Sequence, residues 1–378
     1  MAVLTEEQSM LKEQAQTWVR EQSPVSKFRE MRDSGNENGF DPDTWRAVAE
    51  LGWCGIIIPE EYGGSGMDYR TFGVVLEETG RGLTASPLFA SCLVGASAIM
   101  LGGNESQKRE WLPKIASGES VVTLAADEGP HHNPAGIAMK AKKSEKGYTL
   151  SGEKAFVMEG YAADAYIVAA RTSGSPGKET GISLFLVPAD TKGITKKRLK
   201  TVDSRGHADL VFKNVKVGTD ALLGKAGKGF EILDATLDRA RAGLSAEMLG
   251  TGAECFDRTL DYLKTRVQFG QVIGSFQALG HRAATHFMNM ELARSCVEAA
   301  LAAIDEGEAN VPMMASLAKC QIGDFLHDMT NDMIQMHGGI GMTDEFDAGF
   351  FIKRARVTEA AFGNQSFHRK RYAGTCGI

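Results

Sequence analysis

The chain has 378 residues, enough for two or three domains, because a single hydrophobic core stops growing at about 250–300 residues. Its contents of 43% hydrophobic and 24% charged residues are those of an ordinary soluble globular protein and exclude extensive disorder. The net charge of −6 excludes a broad nucleic-acid-binding face, which needs a basic surface.

The N-terminus and the spacing of cysteines and histidines exclude further classes. The sequence begins MAVLTEEQSMLKEQ, with glutamates where a signal peptide has a basic segment followed by an apolar run. No apolar run reaches the length of a membrane span, so we predict a cytoplasmic protein. The six cysteines form no C-x-x-C pair and the eight histidines form no H-E-x-x-H motif. We therefore predict reduced core thiols and no metal.

The first third of the chain is predicted to be helical. Thr5 and Gln8 match a capping box, and the apolar residues after them recur at helical spacing. The same periodicity predicts helices over residues 42–51, 69–79, 90–100 and 107–115.

From about Val121 the hydrophobic period becomes that of β-strands. Turn residues separate four β-rich runs, GYTLSGEKAFV, DAYIVAART, GISLFLVPAD and DLVFKNVKV. Their regular spacing predicts an antiparallel sandwich or barrel that ends near Leu223.

After GKAGKGF the helical period returns and continues almost to the C-terminus. It predicts long helices over residues 230–266, 276–304, 312–337 and 349–359. The predicted fold is mainly α with a central β domain. Its three parts are an N-terminal helical domain, an antiparallel β domain and a C-terminal helical bundle, over residues 1–120, 121–225 and 226–378.

The stretch TRVQFGQVIGSFQALGHR interrupts these helices with Gly270 and Gly274 close to Arg266. One interpretation is a plain turn, in which the glycines end helices and the arginine is a surface residue. The other interpretation is an anionic ligand held at the turn by a fixed cation.

Motifs along the whole chain resemble the acyl-CoA dehydrogenase family. In order they are IIPEEYGGSGMDYRTFGVVLEETGR, LPKIASGE, GYTLSGEKAFV, GISLFLVPADTKGIT, the R-x-x-F-G of Arg266–Gly270, and QMHGGIG at Gln335–Gly341. The stretches DYLKTRVQFG, HGGIGMTDEF and FGNQSFHRKR are most similar to the small subunit of pimeloyl-CoA dehydrogenase and its relatives.

The resemblance implies FAD held between the β domain and a helical domain, with part of each site supplied by a neighbouring subunit. The sequence agrees on one point, since no G-x-G-x-x-G follows a strand and a Rossmann-type dinucleotide site is excluded. By resemblance Arg266 faces the FAD pyrophosphate, and the adenosine end approaches the backbone at Gly338–Gly339. The cofactor-binding residues implied in the bundle are Arg266, Phe269, Gln277, Gln335, Gly338, Gly339 and Asn364.

In the β domain the family places an aromatic–aliphatic–hydroxyl tripeptide against the flavin ring. Here the matching residues are Phe156, Val157 and Met158, so a thioether replaces the hydroxyl. The preceding loop also departs from the family, since it reads AADEGPHHNPAG and contains His131 and His132. We expect these two histidines to be exposed loop residues without a chemical role.

The family reaction needs a carboxylate base, and both usual positions lack one. The Tyr-Glu-Gly-Thr segment of most members is here Ala361, Phe362, Gly363 and Asn364. The alternative L-D-x-E-R pattern reads Leu237, Asp238, Arg239, Ala240 and Arg241. By resemblance, backbone amides near Phe362 and Gly363 bind the thioester carbonyl, and Asp238 and Arg241 meet the CoA portion.

Glu247 is the remaining candidate for the base. It lies seven residues after Ala240, on about the same helix face, and has no cation at i±3 or i±4. We expect an unpaired carboxylate on an apolar face, which has a raised pKa and favours a functional role. The alternative is a structural contact with a basic residue of a neighbouring subunit or with a buried helix end.

The leading interpretation is an FAD-dependent acyl-CoA dehydrogenase that passes electrons to an electron-transfer flavoprotein and forms a homo- or hetero-tetramer. One alternative is a catalytically silent subunit that contributes half a flavin site to a heteromeric enzyme. Another is a flavin oxidase or oxygenase on the same scaffold. A helical scaffold protein without flavin is the fourth alternative.

Overall fold

A computed structural model describes residues 4–378. The chain divides into two compact units. The helical unit comprises Met1–Arg29, Tyr69–Thr84 and Arg241–Ile378, and the sheet unit comprises Glu30–Asp68 and Ala85–Ala240.

The structure contains eleven α-helices within residues 4–378. They are α1 (Glu6–Gln22), α2 (Val25–Ser34), α3 (Pro42–Glu50), α4 (Tyr69–Arg81), α5 (Ala96–Gly102), α6 (Glu105–Ala116), α7 (Gly229–Thr265), α8 (Gln277–Asp305), α9 (Val311–His337), α10 (Ala348–Ala360) and α11 (Gln365–Thr375). A π-helix at Leu88–Gly95 leads directly into α5.

Eight strands form the central sheet and two short strands form a hairpin. They are β1 (Val122–Ala125), β2 (Lys140–Ser144), β3 (Gly147–Val157), β4 (Ala165–Arg171), β5 (Ile182–Pro188), β6 (Ile194–Arg198), β7 (Ala208–Val217), β8 (Leu222–Leu223), β9 (Val267–Gln268) and β10 (Gln271–Val272). The sheet has the order β6-β7-β3-β2-β4-β5-β8, and β1 pairs with β4.

The predicted fold class is confirmed: a helical first third, a central sheet and long C-terminal helices. Thr5 and Gln8 form the capping box expected at the start of α1. Several details differ from the sequence prediction. Four strands of the central sheet, β1, β2, β6 and β8, were not predicted, because they are short or mostly exposed. The sheet is not purely antiparallel, because β4 pairs in parallel with β1 and β2. Helices α2 and α11 were not predicted, because each is short and few of its residues are buried.

Close backbone contact organises the helical unit where α4 crosses α7. A Cβ added at Gly250 would overlap the carbonyl oxygen of Glu77, and one added at Gly80 would overlap that of Glu247. Thr251 also donates a hydrogen bond to the carbonyl of Gly80 at 3.2 Å. Glycine is therefore required on both helices, because only a residue without a side chain allows this approach.

In the sheet unit the buried strands lie at the centre. All seven residues of β4 and the first six of β5 are buried, which explains why both read as continuous apolar runs. The π-helix packs on β1, since Val122 donates its backbone N–H to the hydroxyl of Ser91 at 3.0 Å.

The Gly270 turn is a β-hairpin and not a helix cap. β9 and β10 pair in antiparallel fashion, and Phe269 and Gly270 between them have φ values of 53° and 80°. Positive φ at both central residues is what a type I′ hairpin turn requires. Positive φ is unfavourable for a bulky residue such as Phe269. Its aromatic ring lies at the tip of the hairpin, and the residue is 91% exposed.

Two further features bear on the sequence predictions. In the described part of the chain, no helix combines the length and apolarity needed to cross a membrane. Residues 4–378 contain no group of three His, Cys, Asp or Glu side chains arranged to hold a metal, and the absence of a metal stays a prediction. All six cysteines are free thiols, and Cys54, Cys92 and Cys255 are buried.

The α4–α7 crossing predicts that Gly250→Ala destabilises the protein. The added methyl meets a backbone carbonyl that cannot move without separating the two helices, so we expect a loss of about 1–3 kcal/mol, as for other overpacked sites. Chemical denaturation measures this loss. Gly374→Ala is the control, because it lies in α11 and its added Cβ meets nothing within 4 Å. Equal stability of the two variants would contradict the close crossing.

Candidate functional site

The residues predicted to bind the cofactor from the bundle lie at one end of the helical unit. Leu263 at the end of α7, Ile273 after the hairpin and Met336 at the end of α9 form a buried apolar cluster. This cluster brings Arg266 and the start of α8 close to the end of α9. The structure therefore assembles Arg266, Gln277, Gln335 and the Gly338–Gly339 turn from three separate segments.

The donors of this group are available to a ligand. The side chains of Arg266, Gln277 and Gln335 are exposed and form no hydrogen bond or ion pair with any residue between 4 and 378. A guanidinium and two amides on segments that meet at this apolar cluster offer several N–H groups to phosphate oxygens. This donor set fits the FAD pyrophosphate that the resemblance implies.

Aromatic stacking fixes the glycine turn beside these donors. The ring of His337 stacks on Tyr262 at 4.3 Å and on Phe346 at 4.4 Å between ring centroids. Its Nδ1 donates to the carbonyl of Met333 at 2.7 Å, and burial lowers the pKa of His337. Gly338 follows with φ of 64°, and a Cβ at Gly338 or Gly339 would meet no atom within 4 Å. The turn thus presents bare backbone to open space, which suits close approach of a flat ligand.

The tripeptide predicted to contact the flavin ring lies at the end of β3 in the sheet unit. Phe156 has φ of 52° and is 58% exposed, whereas Val157 and Met158 are buried. The hydroxyl of Thr123 donates to the carbonyl of Met158 at 2.8 Å and fixes the segment to β1. Non-glycine residues at positive φ are concentrated at functional sites, and this segment has a second one in Glu159.

The loop before β2 is held by buried charges. The ammonium of Lys154 donates to Glu128 at 2.7 Å and to the carbonyl of Ala126 at 2.9 Å. Burial lowers the pKa of Lys154, and Glu128 opposes that shift. The expectation that both loop histidines are exposed is correct for His131 and wrong for His132. His131 is exposed, but the side chain of His132 is only 3% exposed and lies 2.9 Å from the carboxylate of Asp127.

The turn of residues 361–364 is held by three side chains of the helical unit. Lys319 on α9 donates to the carbonyls of Thr358, Glu359 and Gly363 at 2.8, 3.1 and 3.2 Å. Arg241 and His368 donate to the carbonyl of Phe362 at 3.3 and 3.1 Å.

The other residues predicted to bind substrate or cofactor have internal roles. Gly363 has φ of 106° and packs against Phe367, so a side chain there would clash. Asn364 caps α11 by accepting the N–H of Phe367 at 2.9 Å. Asp238 and Arg241 are both buried within α7, and their contact with CoA stays a prediction.

The expectation that Glu247 is unpaired is wrong. Arg354 on α10 donates its Nε and Nη2 to Oε1 of Glu247 at 2.8 and 2.6 Å. The side chain of Glu247 is 10% exposed and that of Arg354 is 7% exposed, so both are buried. Sequence spacing excludes only partners on the same helix, and Arg354 lies 107 residues further along the chain. The pair matches the structural alternative, except that the basic residue belongs to the same subunit.

Sequence reasoning missed Lys319 and Arg354. A signal existed for Lys319, because it is a single cation within the apolar face formed by Ala315, Ala318 and Ile322. A lysine at such a position is almost never fully buried unless paired, so it indicates a specific acceptor. Arg354 gave no comparable signal, because arginines and lysines surround it in KRAR.

Comparisons with known proteins add three findings. Family models described as the N-terminal, middle and C-terminal domains of acyl-CoA dehydrogenase match residues 5–119, 124–215 and 227–375. An acyl-CoA dehydrogenase of Bacillus subtilis (strain 168) is 31% identical over 373 residues, which cover 97% of this chain and 97% of that protein.

Two solved structures are similar over nearly their whole length. Butyryl-CoA dehydrogenase from Megasphaera elsdenii is 28% identical with a TM-score of 0.92, covering 100% of both chains. A chain from the structure of the electron transferring flavoprotein of Acidaminococcus fermentans is 30% identical with a TM-score of 0.92, covering 100% of this chain and 99% of that one.

The buried Glu247–Arg354 pair predicts that Glu247→Gln lowers stability. The change leaves the guanidinium of Arg354 buried without its counter-charge, which costs about 3–5 kcal/mol in other proteins. Glu231→Gln on the same helix is the control, since Glu231 is exposed and forms no hydrogen bond or ion pair through its side chain among residues 4–378. Chemical denaturation of both variants measures the difference. A Glu247→Gln protein as stable as the wild type would show that the pair does not stabilise the fold.

Proposed function

Because the chain belongs to the acyl-CoA dehydrogenase family, we propose that it takes part in the α,β-dehydrogenation of a CoA thioester. Members of this family are FAD-dependent oxidoreductases that act on CH–CH groups. One observation carries the proposal for this chain: the segments that carry Arg266, Gln277 and Gln335 converge beside a bare glycine turn, and these three side chains are exposed and without partners among residues 4–378. FAD, when bound, accepts a hydride from Cβ of the substrate.

We assign groups of this chain to the cofactor and to the CoA thioester. We assign the pyrophosphate to Arg266, with Gln277, Gln335, Gly338 and Gly339 around the adenosine half. Phe269 and Asn364 are assigned further cofactor contacts. In the sheet unit, Phe156, Val157 and Met158 are assigned to the flavin ring. The thioester carbonyl is assigned to backbone N–H groups of the 361–364 turn, with Asp238 and Arg241 toward CoA.

Proton removal from Cα is the step for which the chain offers the fewest groups. An aliphatic thioester loses this proton only to a positioned base. By resemblance, Ala240 and Phe362 occupy the two positions where family members carry the glutamate, and neither side chain accepts a proton. Glu247 stays the candidate base in this chain. Its pairing with Arg354 supports the structural role instead, because the guanidinium already holds one carboxylate oxygen.

A second candidate function is therefore a subunit that binds flavin and assembles with a partner chain but lacks a base of its own. The Glu247–Arg354 pair favours it, together with Ala240 and Phe362. The resemblance of DYLKTRVQFG, HGGIGMTDEF and FGNQSFHRKR to the small subunit of pimeloyl-CoA dehydrogenase agrees with such a pairing.

We also propose that the protein is an oligomer, as members of the family are, and that its electrons pass to an electron-transfer flavoprotein. Exposed apolar side chains support assembly. On α8, Phe287, Met288 and Leu292 are 54%, 55% and 52% exposed, and Phe269 at the hairpin tip is 91% exposed. Apolar surface of this extent is typical of an interface. The proposed domain boundaries remain 1–120, 121–225 and 226–378, close to the limits of the three family matches.

Anaerobic titration of the purified holoprotein with acyl-CoA thioesters tests the dehydrogenation. The panel contains butyryl-, isovaleryl-, glutaryl- and pimeloyl-CoA. We expect the flavin absorption band to bleach with at least one thioester. A yellow protein that bleaches only after a partner chain is added would support the subunit without a base. Rapid reoxidation by oxygen would indicate an oxidase. A colourless protein that cannot be loaded with FAD would contradict the flavin function altogether.

The same titration separates the two roles of Glu247. As the base, Glu247→Gln would slow bleaching by about 10²–10⁴-fold. As a structural residue, it would leave the rate per folded flavin site nearly unchanged.

Sedimentation velocity recorded at the flavin band tests assembly and the Arg266 assignment together. We expect the wild type to sediment as an oligomer that carries flavin. Arg266→Ala removes the cation at the pyrophosphate, so we expect an oligomer of the same size largely without flavin. Lys264→Ala is the control, because Lys264 is an exposed cation two residues away. A monomer with full flavin occupancy, or an Arg266→Ala protein that stays fully yellow, would contradict the proposed site.

A further inference from the structure

Lys319 is a buried cation that the proposed reaction does not use directly. It lies on α9, is 1% exposed, and donates to three backbone carbonyls. An ammonium has three N–H donors and no acceptor, so these contacts use all its hydrogen-bonding capacity. No part of Lys319 is left to contact a ligand, and its role must be exerted through the backbone that it holds.

The three carbonyls belong to two different pieces of backbone. Thr358 and Glu359 are in the last turn of α10, where carbonyls have no partner within the helix and a positive charge is favourable. Gly363 lies beyond the helix, on the far side of the turn. One ammonium therefore joins the end of α10 to the turn and fixes the distance between them.

The turn needs such a constraint because its backbone is strained. Phe362 has φ of 56° and Gly363 has φ of 106°. A bulky residue at positive φ is unfavourable and persists only where surrounding contacts enforce it. Arg241 and His368 hold the carbonyl of Phe362, and Lys319 holds the carbonyl of Gly363.

Holding these carbonyls also orients the amides that follow them. A peptide group is planar and trans, so its C=O and N–H point in opposite directions. The carbonyls of Phe362 and Gly363 point toward the buried donors, and the N–H groups of Gly363 and Asn364 therefore point away from them. Neither N–H has a backbone acceptor among residues 4–378. The turn thus has two adjacent, oriented N–H groups without a backbone acceptor, one at the buried Gly363 and one at the exposed Asn364.

We propose that Lys319 is a positioning residue for thioester recognition, which fixes the 361–364 turn so that its outward amides bind the thioester carbonyl. This inference rests on the proposed function, since it assigns the turn to a CoA thioester. Lys319 itself does not touch the substrate.

The charge state of Lys319 gives the proposal a pH dependence. Burial lowers the pKa of Lys319 to about 7, Glu359 and Cys320 oppose this shift, and Arg241 adds to it. His368 also faces the turn, through its bond to Phe362. As the pH rises through about 7, the amine loses one donor and one of its three carbonyls is released. We therefore expect Lys319 to constrain the turn less as the pH rises.

The test compares acetyl-CoA with free CoA, because acetyl-CoA has the thioester carbonyl but no Cβ and cannot be dehydrogenated. Isothermal titration of flavin-loaded protein gives the affinity ratio of the two ligands. We expect Lys319→Met to lower this ratio by about tenfold, the upper range for one hydrogen bond, with CoA affinity nearly unchanged. Lys319→Arg keeps the cation and should retain most of the ratio. Lys353→Met is the control, since it removes an exposed lysine from α10.

An unchanged ratio in Lys319→Met would overturn the proposal, and so would an equal loss of affinity for both ligands. If Lys319→Met does not fold, Lys319→Gln replaces it, because its amide keeps two N–H donors and lacks the third. An unchanged ratio in Lys319→Gln would then overturn the proposal. The affinity ratio of acetyl-CoA to free CoA does not depend on catalytic turnover. A protein that no acyl-CoA bleaches refutes the proposed function alone, whereas a bleaching protein with an unchanged ratio refutes only the role of Lys319.

Discussion

The ion pair between Glu247 and Arg354 is the interaction on which much of the helical unit depends. The backbone of Glu247 lies where α7 meets α4, at a crossing that only Gly80 and Gly250 allow. Its carboxylate then reaches Arg354 on α10. Three helices are therefore fixed by one residue. Because α10 leads directly into the turn at Phe362, the position of that turn follows from the same pair.

The cations of the helical unit fall into two groups with different electrostatic situations. Arg354 and Lys319 are buried, and each has acceptors that compensate the cost of removing a charge from water. Arg266 is exposed and has no acceptor within residues 4–378, so it is free to attract an anion. Buried cations here shape the backbone, whereas the exposed cation is available for binding. Charge alone does not distinguish these roles, and burial does.

Flavin binding, thioester binding and proton removal are separate physical tasks that need different groups. The first two need hydrogen-bond donors, and the third needs a base. In the proposed function, binding uses oriented donors, which are side chains at the bundle end and backbone amides of the 361–364 turn. Proton removal needs a carboxylate with access to Cα, and the candidate carboxylate of Glu247 is paired with Arg354.

The sequence by itself determined the class of fold and most elements, because hydrophobic periodicity is a local property. The long helices α7 to α10 and strands such as β3 to β5 were predicted within one or two residues at most ends. The resemblance of its motifs to the acyl-CoA dehydrogenase family also predicted a candidate site at Arg266 and the Gly338–Gly339 turn, whereas the residue types alone left a plain turn open. Only the tertiary structure decided the partner of Glu247 and the acceptors of Lys319. Those contacts join segments 107 and about 40 residues apart, and local spacing carries no information about such distances. Pairing across helices is set by packing, so the burial and the charge environment of a residue become known only once the chain is folded.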